Sequence, residues 1–226
     1  MAVARPDKER GERARPLHGG RHSLLPTTVA FDQRERILGA LAAAVADSGY
    51  NKVTISQITE RASVSRRTFY EMFSGKQEAF LVTYDALDEY LVSLAGESVS
   101  REVEWPDRVA TTLAATIAFL AERPDLARVY LVETVVVGGP MVSRLEARAE
   151  RCIELLAPGR GHRDGGREPA EGIEEAVFGG IVTLLARRIV AGEGERLTRF
   201  TPAVIEFALA PYLGMERARE LAAAHG

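Results

Sequence analysis

The sequence has few of the residues from which catalytic and metal centres are usually built. Cys152 is the single cysteine among 226 residues, which excludes an intramolecular disulfide framework and a multi-cysteine metal cluster. The four histidines lie in terminal segments or Gly/Arg-rich stretches, where no periodic helix fixes an imidazole: His18, His22, His162 and His225. The sequence has no phosphate-binding loop, no glycine-rich dinucleotide turn and no metal-ligand spacing. We therefore predict that the protein is not an enzyme and needs no cofactor or metal ion.

Long apolar runs are also missing from the sequence. No run approaches the roughly 18 residues that cross a bilayer, and residues 1–22, MAVARPDKERGERARPLHGGRH, contain no apolar signal-peptide segment. We expect no membrane contact and a cytoplasmic location, where a single cysteine stays reduced. A hydrophobic content of 46% and a charged content of 27% are nevertheless typical of a globular protein with a core.

Charge is distributed unevenly along the chain, although the net charge is only −3. Residues 1–31 carry six Lys and Arg against three Asp and Glu, residues 32–80 carry seven against six, and the remainder carries sixteen against twenty-three. A basic front and an acidic back indicate that only the front contacts a polyanion. Residues 1–31 lack apolar periodicity and are predicted to be a flexible basic arm. This arm is either a solvated tail or a segment that follows the DNA backbone or enters a minor groove.

The segment before Gly49 predicts a supporting helix that begins at Asp32. Its apolar residues recur at three- and four-residue spacing: Ile37, Leu38, Leu41, Ala44 and Val45. Gly49 then ends the helix, because glycine readily adopts the left-handed conformation found after a helix C-terminus.

Two shorter helices follow, each with its own cap. Thr54 and Gln57 stand at capping-box spacing and begin the first of them. A turn follows at residues 62–64, and Ser65 caps the second helix, residues 66–72. Phe69 and Phe73 are expected to be its buried anchors. Two short helices joined by a tight turn and supported by a third predict a helix-turn-helix DNA-binding unit.

A long fourth helix is predicted from Ser74, which forms another capping-box pair with Gln77, to Leu94. Further helices are predicted at 105–124, 126–137, 141–156, 170–190, 202–213 and 215–224. Residues 158–169, PGRGHRDGGREP, contain no core-forming residue and are predicted to be a flexible loop. Nothing in the chain alternates as a strand, so the expected fold is all-α.

The second short helix carries the residue types that DNA recognition requires. Arg66 and Arg67 stand at its N-terminal end, where a guanidinium can offer two parallel donors to guanine O6 and N7. Thr68, Tyr70 and Lys76 are donors suited to phosphate oxygens, which set the register on DNA without reading its sequence.

The run TISQITERASVSRRTFYEMFSGKQEAF resembles the DNA-binding signature of the TetR/AcrR family of bacterial transcriptional regulators, over about residues 32–82. The family usually has glycine where this chain has Ser63, which predicts a strained or differently angled turn. The resemblance implies an all-helical homodimer with an N-terminal DNA-binding domain and a larger C-terminal ligand-binding domain. Carried over by position, the DNA-binding residues are Thr54, Ser56, Ser65, Arg66, Arg67, Thr68, Tyr70 and Lys76.

The expected division is an arm at 1–31, a helix-turn-helix domain at 32–78 and a ligand-sensing and dimerisation domain at 79–226. The predicted function is sequence-specific DNA binding by a repressor that a small-molecule ligand releases from a palindromic operator. The alternatives are a constitutive DNA-binding protein without ligand response, which a solid C-terminal core would favour, and a helical protein-interaction module.

The resemblance also implies that two helices near the C-terminus pair with their copies in a dimer. The best candidates are residues 170–190 and 202–213, which are more apolar than surface helices need to be, with Gly179 and Gly180 permitting close approach. The alternative is that these two helices form the buried core of a monomer. A largely apolar ligand is expected near the large or polar residues of the middle helices: Trp105, Phe119, Tyr130, Glu133, Cys152 and Phe178. Because an unpaired buried carboxylate is costly, Glu133 is expected to pair with an arginine. We further expect the fourth helix to transmit ligand binding to the DNA-binding unit.

Overall fold

A computed structural model describes residues 26–97, 103–162 and 169–226. The regular structure of these residues is helical, with no strand among them. The four N-terminal helices are α1 Pro26–Ser48, α2 Ile55–Ala62, α3 Arg66–Met72 and α4 Lys76–Glu97. The others are α5 Trp105–Glu122, α6 Pro124–Leu131, α7 Thr134–Val137, α8 Val142–Leu156, α9 Ile173–Val190, α10 Thr201–Leu213 and α11 Met215–His225. The predicted all-α fold, with an N-terminal helix-turn-helix followed by a larger helical part, is confirmed.

Helix α1 begins at Pro26 rather than at the predicted Asp32. Proline suits a first helical turn because its φ is already helical and its missing N–H would have no partner there. The β-branched residues that follow Pro26 have low helix propensity. This additional turn and a half of helix was therefore not predicted from the sequence. Residues 1–25 of the predicted arm lie outside the described residues.

The two predicted helix-turn-helix caps are present. The Thr54 hydroxyl accepts from the Gln57 N–H and the Gln57 side chain accepts from the Thr54 N–H, which makes a complete capping box. The Ser65 hydroxyl accepts from the Thr68 N–H at 2.9 Å. Ser63, between the two helices, has φ 54° and ψ 45°, a left-handed conformation that a side chain disfavours.

The start of α4 differs in one detail from the prediction. The Ser74 N–H and hydroxyl both donate to the Glu78 carboxylate, at 2.6 and 2.5 Å, rather than pairing with Gln77. A carboxylate in the first helical turn also faces the positive end of the helix dipole, so Glu78 is the stronger partner.

A continuous core joins the first three helices to α4. Its fully buried side chains include Ile37, Leu41, Ile58, Phe69 and Phe80. Burying Phe69 and the neighbouring Phe73 fixes α3 to this core and leaves the opposite face of α3 exposed. The predicted anchors of the helix-turn-helix are therefore confirmed.

A second core lies between α5, α10 and α11, with Trp105, Ile205 and Leu209 among its buried members. Gly159 packs against it so closely that a Cβ there would lie 2.4 Å from the Trp105 ring. The 3-10 helix Ala157–Gly161 thus occupies part of the predicted flexible loop, a correction to that prediction. Residues 163–168 lie outside the described residues.

Glu174, in the first turn of α9, is buried in this region. Its carboxylate accepts from Arg160 at 2.8 and 2.7 Å and from the Tyr212 hydroxyl at 3.2 Å. The hydrogen bond from Arg160 is the main reason that the pKa of Glu174 lies below its ordinary value, although burial opposes the shift. This ion pair fixes the start of α9 to the loop before it.

Candidate DNA-binding surface and ligand cavity

The exposed face of α3 presents three of the predicted DNA-binding side chains. Arg66 and Arg67 are exposed at the helix start, and Tyr70 is 54% exposed one turn later. Arg67 Nε donates to Glu71 Oε1 at 2.8 Å across one turn, with 88% of the Arg67 side chain exposed. An exposed pair of this kind is weak, so the guanidinium can exchange Glu71 for another acceptor at little cost.

The hydroxyl residues of the predicted site lie at the helix starts. Thr54 and Ser65 use their hydroxyls as helix caps, and the Ser65 and Thr68 hydroxyls lie 2.9 Å apart. Ser56 is half-buried in the first turn of α2. These side chains hold the N-termini of α2 and α3 in place, and helix N-termini are favourable positions for phosphate groups.

Lys76, a predicted phosphate contact, also forms hydrogen bonds within the protein. Its ammonium donates to the carbonyls of Tyr50 and Val53, at 2.8 and 2.9 Å, and lies 4.3 Å from the centre of the Tyr50 ring. Partial burial lowers the pKa of Lys76. Two carbonyls use two of the three ammonium donors, so one N–H is left for a phosphate oxygen.

Glu133 links the same loop to the C-terminal helices. Its buried carboxylate accepts from Arg128 Nε at 2.9 Å and from the backbone N–H of Tyr50 at 3.0 Å. The pairing of Glu133 with an arginine was predicted and is confirmed. Its contact with Tyr50 was not foreseen, because 83 residues separate the two in the chain.

A cavity of about 400 Å³ lies within the C-terminal helices. Most of its wall is aliphatic, from residues such as Leu91, Leu113, Ile117, Ile181 and Leu185. Its volume is in the range of small-molecule sites. The C-terminal part therefore has room for a ligand, which a solid core would not.

The cavity wall contains three of the six predicted pocket residues, Tyr130, Cys152 and Phe178. The others lie elsewhere. Trp105 packs in the second core and donates its indole N–H to the Leu155 carbonyl at 2.8 Å, and Phe119 contacts Tyr90 with ring centres 4.7 Å apart. Glu133 lies at the contact with Tyr50.

Polar residues of the wall were missed at the sequence level, above all Arg148. Its side chain is only 7% exposed and lines the cavity. Leu145, Arg148, Cys152 and Leu156 follow one another at three- and four-residue spacing, the pattern of a single helix face. That spacing is the signal that locates Arg148 among apolar neighbours.

Helix α4 connects the two candidate sites. It begins at Lys76, whose ammonium contacts the loop before α2, and its far end contributes Leu91, Val92 and Ala95 to the cavity wall. Between them, Asp85 pairs with Arg144 at 2.6 Å and Asp88 pairs with Arg151. These two ion pairs therefore tie the middle of α4 to α8, one of the helices that form the cavity wall.

The described residues contain no helix long and apolar enough to span a membrane. Within the same residues, no group of three or more His, Cys, Asp or Glu side chains is placed to hold a metal ion.

Comparisons with known proteins agree with this geometry. The family model for bacterial regulatory proteins of the tetR family matches residues 37–82, which run from α1 into α4. The HTH-type transcriptional activator FasR of Mycolicibacterium smegmatis is 24% identical over 155 residues, which cover 68% of this chain and 69% of FasR.

Two solved structures show the same fold at 17% sequence identity. The fatty acid degradation regulator FadR from Bacillus halodurans superposes with a TM-score of 0.69, over 78% of this chain and 94% of that one. FadR from Bacillus subtilis, in complex with stearoyl-CoA, superposes with a TM-score of 0.65, over 78% of this chain and 98% of that one.

Proposed function

Because the chain belongs to the TetR family of bacterial transcriptional regulators, we propose that it binds a palindromic operator as a homodimer and releases it when a small molecule fills the cavity. The chain is a DNA-binding regulator by family. One observation carries the ligand response: α4 contributes Lys76 to the DNA-binding unit and Leu91, Val92 and Ala95 to the cavity wall.

The DNA-binding roles follow from exposure and chemistry. Arg66 and Arg67 read guanine edges in the major groove, because α3 presents both guanidinium groups to solvent at its N-terminal end. Phosphate oxygens are bound by the remaining predicted residues: Thr54, Ser56, Ser65, Thr68, Tyr70 and Lys76. The domain division at residue 78 falls within the first turn of α4, so this helix belongs to both domains.

The homodimer is proposed to form through α9 and α10. Ala176, Gly179 and Thr183 make an exposed stripe of small residues along α9. Beside it, Phe207 of α10 is 49% exposed and packs over Gly180, where a Cβ would lie 2.8 Å from the ring. A second copy would cover this surface and place two α3 helices on successive turns of DNA.

The dimer surface has a direct test. Gly179→Arg places a long charged side chain in the middle of the stripe, and sedimentation velocity is expected to show a monomer. Gly139→Arg is the matched control, because an added Cβ there meets open space and Gly139 lies outside α9 and α10. A dimer that persists in Gly179→Arg would place the interface elsewhere.

Release requires that the ligand prefer one position of α4 over another, since only differential affinity shifts an equilibrium. The ion pairs of Asp85 and Asp88 with α8 couple α4 to any rearrangement of the cavity wall. Linkage then demands reciprocity: operator DNA must weaken ligand binding by the factor by which ligand weakens operator binding. A ligand with equal affinity for free and operator-bound protein is not the effector.

The constitutive alternative is disfavoured by the cavity itself, since a protein that senses nothing has no need of a 400 Å³ void. Repression is proposed as the output. FasR is described as an activator. Transcription in vitro from an operator-bearing promoter therefore tests whether this protein represses or activates transcription. Repression appears as less transcript when protein is added.

The experiment that tests the function is selection of bound sequences from random double-stranded DNA at near-physiological salt. A palindromic consensus is expected, and Arg66→Ala/Arg67→Ala is expected to abolish it. Arg217→Ala/Arg219→Ala on α11 is the matched control, because it removes two exposed arginines from the C-terminal helix. No enrichment over the Arg66→Ala/Arg67→Ala protein would contradict sequence-specific binding.

A further inference from the structure

Arg148 is a buried cation that forms no ion pair within the described residues. Its side chain is 7% exposed and lines the cavity. Its one hydrogen bond within the described residues runs from Nη1 to the Tyr130 carbonyl, at 2.8 Å. The described residues place no carboxylate within ion-pair distance of it, and such a charge is costly to bury unless it is paired.

The unused donors of Arg148 lie along one edge of the guanidinium. Nε is buried and has no hydrogen-bond partner in the part of the chain that the structure describes. Nη2 lies beside it on that edge, while Nη1, on the other side, is used by Tyr130. Nε–H and Nη2–H together form the two-donor fork that matches the two oxygens of a carboxylate.

The acidic group of the wall is already used. Asp88 accepts from the Tyr130 hydroxyl at 2.7 Å and is paired with Arg151. Arg108, half-buried on the opposite helix α5, also lines the cavity and has no ion pair within the described residues. The cavity therefore carries an excess of positive charge, in which an anion is stabilised and a cation is repelled.

The rest of the wall sets the shape of the ligand. It is aliphatic apart from a few polar residues, so the body of the ligand is apolar. If each non-hydrogen atom takes roughly the 30 Å³ of a liquid water molecule, the cavity of about 400 Å³ holds on the order of 13 atoms. Dodecanoate is a carboxylate of about this size.

We infer that the effector is a carboxylate with an aliphatic body, bound through a fork of Nε and Nη2 of Arg148. This inference rests on the proposed ligand response and names the chemistry of its ligand. The aromatic faces of Tyr130 and Phe178 hold the guanidinium plane, 4.7 and 5.6 Å from the two ring centres, so the fork is oriented before the ligand arrives.

Calorimetric titration of the full-length protein with dodecanoate, dodecanol and dodecylamine tests this inference. The carboxylate is expected to bind roughly ten- to a hundredfold more tightly than the alcohol, the effect of a charged hydrogen-bonded pair. The amine is expected to bind more weakly still. Arg148→Met keeps the aliphatic stem, removes the guanidinium and is expected to bring the acid-to-alcohol ratio close to one.

Two further variants make the result specific. Arg144→Met, one turn earlier on α8, removes an arginine that pairs with Asp85 outside the cavity wall, and is expected to keep the full preference. Arg148→Lys keeps the charge but loses the fork, and is expected to have an intermediate ratio. If circular dichroism shows that Arg148→Met is unfolded, the acid-to-alcohol ratio of Arg148→Lys tests the inference instead.

Three results would overturn the inference: no binding of dodecanoate, equal binding of dodecanol, or a preference that survives in Arg148→Met. Operator binding measured with each bound compound separates this inference from the proposed function. If dodecanol binds equally well and releases DNA, the ligand response stands and the carboxylate inference fails. If dodecanoate binds through Arg148 without changing DNA affinity, the carboxylate inference stands and the ligand response fails.

Discussion

The two halves of the molecule obtain their functional geometry in different ways. The helix-turn-helix depends on contacts between residues three or four apart, such as the Thr54–Gln57 and Ser65–Thr68 caps. The cavity depends on contacts between residues far apart, such as Arg151 with Asp88, 63 residues away. Local contacts fix the start of each helix in the DNA-binding unit, whereas the wall of the cavity forms where distant segments of the chain pack together.

The largest expected effect tests whether the two halves can be separated functionally. Arg66→Ala/Arg67→Ala removes the two proposed base contacts, worth about 1–3 kcal/mol each, so operator affinity is expected to fall by roughly 30-fold to about 20,000-fold. Fluorescence anisotropy with labelled operator measures the loss. Dodecanoate binding is expected to be unchanged, and a parallel loss of ligand affinity would contradict the separation.

The contact between the halves is the target of the second prediction. Glu133→Ala leaves Arg128 and the Tyr50 N–H without their buried acceptor, which is expected to lower the free energy of unfolding by about 2–3 kcal/mol. Urea denaturation measures this difference. Glu122→Ala, an exposed glutamate at the end of α5, is the matched control and should change stability by less than about 0.5 kcal/mol.

Glu133 also shows what sequence alone can predict. The caps, the anchors Phe69 and Phe73 and the arginine partner of Glu133 follow from spacing or from the cost of an unpaired charge. The Tyr50 contact and the cavity depend on how distant helices pack, for which the sequence carries no local signal. Arg148 is intermediate, because its position on the apolar face of α8 is visible in the spacing but its role requires the cavity.

A smaller effect tests how much strain the DNA-binding half contains. Ser63 is in the left-handed region at φ 54°, so Ser63→Gly is expected to raise the free energy of unfolding by about 0.5–1 kcal/mol, after the entropic cost of glycine is subtracted. Thermal unfolding monitored by circular dichroism measures it. Ser93→Gly in the exposed interior of α4 is the opposite control and is expected to destabilise by a similar amount. Destabilisation by Ser63→Gly would show that the serine side chain supports the turn.

The smallest expected effect concerns the stability of the C-terminal half and is seen only at acidic pH. The pKa of Glu174 is lower in the folded protein, mainly through Arg160, so its contribution to stability is full above the ordinary glutamate pKa and is lost as the pH falls through the folded value. Melting temperatures measured from about pH 7 to about pH 3 should fall less steeply for Glu174→Gln than for the unsubstituted protein. Parallel curves would show that the carboxylate titrates normally.

Trp105 is the single tryptophan of the chain, and its indole N–H is bonded to the carbonyl of Leu155, a residue of the cavity wall. All indole emission therefore originates at one buried point beside the proposed effector site. The protein contains its own optical reporter there, so occupancy of the cavity and exchange of its contents can be followed in real time without labelling.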